Sequence, residues 1–202
     1  MTRLDYFSKK AHLDSMPTLL KSPSAFFQAL KLESLSNKTL LKGSAYLCFG
    51  LFFESLVQIY LVSLAPSLKA VSEIISPEQF ELIKKEAQLS LLFSPIIAFF
   101  GIYLFASALH ITLKGFGFSN SPNLRYENTL YLCALCQTPM LFAAIPIIGP
   151  MLASVWVFVL LSIALKQIYG LSSLASFVCI LPPALSLKLI WNSALQLLAL
   201  SV

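Results

Sequence analysis

Glu54 and Lys188 are the two charges that fall deep inside apolar stretches of this chain. A charged side chain at the centre of a bilayer costs roughly 2.5–3.5 kcal/mol on insertion scales, so each needs a reason to be there. Counting about 1.5 Å per residue from the inner ends of their stretches puts Glu54 about 15 Å deep and Lys188 about 21 Å deep, near enough for a pair. Gln58 follows Glu54 by one helical turn, and Asn192 follows Lys188 by the same step. Gln137 lies near the middle of another apolar stretch. Glu54, Gln58, Gln137, Lys188 and Asn192 therefore form a candidate intramembrane polar cluster. Three uses stay open: a structural ion pair or clamp, a path for an ion, proton or lipid headgroup, and Lys188 reaching an interface alone.

Other chemistry is thin. Cys133 and Cys136 share a helical face, but a metal site needs three or four ligands, and Cys48 and Cys179 are far off in sequence. The four cysteines read as small core hydrophobes, not as a disulfide framework. His110 closes an apolar stretch and reads as an interfacial hydrogen-bonding group, with a pH switch as the alternative. No metalloprotease, nucleophile-elbow, P-loop or dinucleotide motif is present, so no enzyme activity and no cofactor are expected.

The elements that would position these residues are membrane helices. Of 202 residues, 57% are hydrophobic and 11% charged, against about 25% charged in soluble domains. Several apolar runs approach the ~20 residues a bilayer crossing needs. Their continuity excludes a β-barrel pattern. The net charge of +5 is concentrated early: Arg3, Lys9, Lys10, Lys21, Lys31, Lys38 and Lys42 precede the first apolar run. That pattern marks a cytoplasmic segment, not nucleic-acid binding.

Residues 1–43 read as a basic cytoplasmic arm, and residues 44–202 as one membrane domain with no cleavable signal before it. In the arm, Ser22-Pro23 starts a short amphipathic helix whose Phe26, Phe27 and Leu30 suit an interface. The expected spans are about 44–64, 89–113, 129–148, 151–169 and 174–200. Between the first two, Ser76-Pro77 with Gln79 forms a capping-box start, predicting a second short helix on the membrane surface. Pro95 and Gly101 are expected to kink the second span, and Pro182-Pro183 to break or kink the fifth. Gly101, Ala106, Ala143 and Ala144 suit close helix contact. The basic margins put the N-terminus inside and the C-terminus outside. The fold class is an all-α polytopic membrane bundle with five spans and short interfacial helices.

Gly115 to Gly170 carries a resemblance to a known family. The chain resembles the Yip (Ypt-interacting protein) domain family in its compact bacterial form, across roughly residues 22–190. Ser22-Pro23-Ser24-Ala25-Phe26-Phe27 is similar to the family's proline–aromatic segment. His110 precedes Gly115-Phe116-Gly117, which resembles a Phe-Gly-Gly loop. Tyr131 to Pro139 resembles the family's third span, and Pro146, Gly149 and Trp156 match its elbow. Tyr169-Gly170-Leu171-Ser172 resembles a His-Gly-Leu-Ser turn, with Tyr in place of His.

The resemblance implies a non-enzymatic integral membrane protein of a bacterial cytoplasmic (inner) membrane. Its partners would be membrane lipids and other membrane proteins or further copies of itself. An adaptor or scaffold is the leading expectation. The alternative is a transporter, channel or lipid-handling protein built on the Glu54/Lys188 centre.

Overall fold

The computed structural model describes residues 16–30, 37–64, 76–117, 123–145 and 148–201. Among them are seven α-helices, one 3-10 segment and no strand. The helices are α1 (Met16–Lys21), α2 (Pro23–Ala29), α3 (Asn37–Leu64), α4 (Pro77–Gly115), α5 (Tyr126–Leu135), α6 (Gly149–Tyr169) and α7 (Ser173–Ser201). The 3-10 segment, Thr138–Ala144, follows α5.

The capping box at the start of α4 forms as the sequence predicts. Gln79 N donates to Ser76 Oγ at 3.3 Å, and Ser76 N donates to Gln79 Oε1 at 2.9 Å. The helix it starts is not a separate surface helix, however. It runs 39 residues, about 58 Å, through Pro95 and into the second span. No strong helix breaker lies between Gln79 and Pro95, so the amphipathic turns and the apolar turns propagate as one rod. Gly117 ends it, with a φ of 87° that favours glycine.

The third span does not form one α-helix. Pro139 has no N–H to give the carbonyl of Leu135, so α5 stops there. Thr138 Oγ1 takes that carbonyl instead at 2.8 Å, and the chain tightens into the 3-10 segment. By contrast, α7 continues through Pro182 and Pro183.

Helices α3, α4 and α6 are long and apolar enough to cross a membrane, and α7 has a shorter apolar stretch over Ser173–Leu187. Large apolar side chains stand exposed along them, among them Leu92 at 71%, Ile111 at 69% and Leu174 at 74%. A water-soluble surface rarely carries so much apolar area, whereas lipid is its natural solvent.

Helix α4 is central. It packs on α3, α5 and α7, while α6 packs on α7, α2 and the 3-10 segment. Ile102, Ala106 and Leu109 of α4 meet Leu132 and Cys133 of α5 and Leu161 and Leu165 of α6 in one buried cluster. Close backbone approach occurs at two glycines. A Cβ on Gly43 would overlap the backbone of Ala134, and one on Gly149 would overlap the carbonyl of Phe142. Ala106 and Ala143 are buried as expected of contact residues. Gly101 has nothing near its missing Cβ, and Ala144 is exposed.

Helix α2 begins at Pro23 after Ser22, where the sequence places it. Its apolar face is turned into the bundle. Phe27, 2% exposed, and Phe26 belong to the core, with α2 packed on α6.

Candidate functional site

Two helix-ending turns bring three buried polar residues together. Gly117 ends α4 a few residues beyond His110, and Gly170, with a φ of 71°, ends α6 directly after Tyr169. Thr129 lies in the first turn of α5. His110 Nδ1 is 3.3 Å from Thr129 Oγ1, and Thr129 Oγ1 is 3.3 Å from the Tyr169 hydroxyl. Thr129 also donates to the Arg125 carbonyl at 3.3 Å. Its one proton is then used, so its lone pairs receive the Tyr169 hydroxyl proton and an N–H at His110 Nδ1. The junction ties α4, α5 and α6 at one end of the bundle.

Neighbours support it. Tyr126 stands edge-on to His110 at 5.8 Å, and its hydroxyl is 3.2 Å from Ser107 Oγ. Asn123 Nδ2 donates to the Ile168 carbonyl at 3.3 Å, and Asn128 Nδ2 to the Asn123 carbonyl at 2.9 Å. Exposures of 8% for His110, 1% for Thr129 and 7% for Tyr169 keep the junction out of reach of an external substrate. What it offers is hydrogen-bonded rigidity.

The arm is latched at the same end. Gln167 Nε2 donates to Ser24 Oγ at 2.8 Å, and Gln28 Nε2 donates to Gln167 Oε1 at 3.3 Å. One α6 side chain thus holds two positions of α2.

The described side chains of the predicted polar cluster, those of Gln137, Glu54 and Gln58, fall in different surroundings. Gln137 is buried, gives Nε2 to the Cys133 carbonyl at 3.3 Å, and leaves Oε1 without a partner among the described residues. Ser44 Oγ and Trp156 Nε1 are also buried and unpartnered there. Glu54 and Gln58 are exposed on α3. Lys188 and Asn192 belong to α7, and their side chains lie outside the described ones. Cys48 Sγ lies 3.8 Å from Ser94 Oγ, which sets the antiparallel register of α3 and α4. Equal steps from that contact bring Glu54 level with about Gln88, and Gln58 with about Lys84, beside the charged first turns of α4.

Of the turn and elbow residues, Gly117 and Gly170 supply left-handed turns, Pro139 breaks α5, and Gly149 permits close approach. Trp156 packs against the core. Gly115 faces open space, and Pro146 lies outside the described residues. Cys133, Cys136 and Cys179 are buried free thiols.

Sequence reasoning passed over Thr129, Gln167 and Gly43. A polar residue in the first turn of a span, facing a His and a Tyr that also border spans, is the signal that marks Thr129. Nothing local marks the other two.

The sequence profile of the Yip1 domain matches residues 18–193. No curated protein and no solved structure matches the chain.

Proposed function

This chain belongs to the Yip1 domain family of membrane proteins, and from that premise we propose that it is a non-enzymatic adaptor that binds and organises other membrane proteins. The observation that carries this reading is the pair Glu54 and Gln58, exposed one turn apart on a spanning helix. Polar side chains on the outer face of a span act as glue between helices. In this reading their level beside the charged turns of α4 corresponds to the outer interface, within reach of a partner helix.

In this reading the bundle crosses five times. The spans are α3, α4, α5 continued by the 3-10 segment, α6 and α7. The third crossing is short but sufficient, since its α and 3-10 rises together give about 29 Å against ~30 Å of hydrocarbon. The basic arm and its latch at Gln167 then face the cytoplasm.

The test is site-specific photocrosslinking in cells from position 58, with position 111 as the control. A single stoichiometric protein adduct from 58, absent from 111 and lost in Glu54→Gln, supports the adaptor. Lipid adducts alone from position 58 would sink it.

A second reading is a transporter, channel or lipid-handling protein. The buried unpartnered atoms of Ser44, Gln137 and Trp156 favour it, because a wet interior would satisfy them. A Glu54/Lys188 centre supported by Gln58, Gln137 and Asn192 belongs to this reading. Labelling of a cysteine at 137 by a membrane-impermeant thiol reagent, with substrate flux in vesicles of the pure protein, would favour it over the adaptor.

A further inference from the structure

A groove of about 610 Å³ runs along the outer side of α6, between it and α7, with α2 at one end. Val155, Phe158 and Val159 of α6 and Phe177 of α7 line its deep part, with the two phenyl rings 6.0 Å apart. Lys166, Gln167, Ser24 and Ser173 line its other end. The only charged side chain of the wall is thus at this upper end, while the deep part is apolar except for Ser154, whose hydroxyl is turned back onto the Pro150 carbonyl at 2.9 Å.

We propose that this groove holds one anionic phospholipid, with its phosphate at Lys166 and an acyl chain along Val159 and Val155. Four observations converge on that occupant. From Val155 to Lys166 is about 17 Å of helix, close to half of the ~30 Å hydrocarbon thickness, so the groove is one leaflet deep. Lys166 is exposed and donates once, to Ser173 Oγ at 3.3 Å, leaving ammonium protons for an anion. The start of α7 at Ser173 adds the positive end of a 29-residue helix beside it. Ser162, one turn deeper than Lys166, lines the groove with a hydroxyl. That turn, about 6 Å of helix, sets the hydroxyl below the ammonium, on the ester side of a phosphate held at Lys166.

A partner helix fits this groove poorly, because α2 closes its polar end at the depth of one leaflet. A free phosphate would leave the apolar length unused. The latch of Gln167 to Ser24 forms part of the headgroup end, so a bound lipid and the docked arm share a wall. The inference is independent of the adaptor reading and rests on the chain lying in a bilayer.

The test is native mass spectrometry of the full chain in mild detergent, titrated with phosphatidylglycerol and with phosphatidylcholine of matched chains. The wild type retains one phosphatidylglycerol in preference to phosphatidylcholine. Lys166→Gln lowers that preference about fivefold, the worth of one basic residue at an anionic interface. Val155→Trp fills the exposed deep end, so it weakens binding of sixteen-carbon chains more than of eight-carbon chains. Equal retention of both headgroups by the wild type, or an unchanged preference in Lys166→Gln, overturns the proposal. So does an unchanged chain-length dependence in Val155→Trp, or displacement of the lipid by soluble glycerol phosphate.

Discussion

Gln167 and Ser24, 143 positions apart, are joined by a 2.8 Å hydrogen bond that fastens the amino-terminal arm to the end of α6. Gln28 adds a second bond to the same side chain, and Phe27 inserts beneath them into the core. Helix α2 is therefore part of the bundle.

Gln167→Ala removes two partly exposed hydrogen bonds and should cost about 1 kcal/mol. Its expected signature is local: faster amide exchange over residues 16–30, with α4 and α5 unchanged. Phe27→Ala should cost more, about 3–5 kcal/mol, by leaving a cavity. Equal protection of the arm in wild type and Gln167→Ala would remove the latch from the account.

Thr129→Val keeps the shape and deletes the hydroxyl that links His110 to Tyr169. The expected loss is about 1–3 kcal/mol, because buried polar groups are left unpaired. Tyr169→Phe deletes one bond and should cost less. In the double variant the two losses should not add, with a coupling of at least about 0.5 kcal/mol, read from thermal stability in detergent. Additive losses would mean the junction is not one network.

Two glycines in spans should respond in opposite ways to alanine. Gly43→Ala drives a Cβ into the backbone of Ala134, which has no rotamer to yield, so folded monodisperse protein should be lost. Gly101→Ala meets open space and should be tolerated or stabilise by up to about 1 kcal/mol, since alanine favours helix. Fluorescence-detected size exclusion of both variants checks this directly.

Gln137→Met should leave stability within about 1 kcal/mol of wild type. It gives up the bond to the Cys133 carbonyl but also removes the unpartnered Oε1 from the interior. A loss of several kcal/mol would show that Gln137 Oε1 has a structural partner such as a buried water.

The sequence by itself determined the class of molecule and most local features. Continuous apolar runs with few charges require a helical membrane protein, because only lipid tolerates that surface. The capping box at Ser76, the start of α2 at Pro23, and the glycine turns after His110 and Tyr169 were all legible, since each is set by residues a few positions apart. The uninterrupted α4 and the broken third span were not read correctly. The first needed the absence of a breaker to outweigh a change in polarity. The second needed the combined effect of Pro139 and Thr138 on one carbonyl at Leu135.

Only the tertiary structure decided which residues meet. It chose Thr129 as the junction, Gln167 as the latch, and Gly43 over Gly101 as the close contact. It also set Glu54 and Gln58 on an outer face and Gln137 within. The physical reason lies in the spans themselves. A helix that is apolar nearly all round carries no amphipathic stripe to fix its rotation about its own axis. That rotation is settled by packing small and polar groups between helices, and those contacts join residues too far apart in sequence for local pattern to reveal.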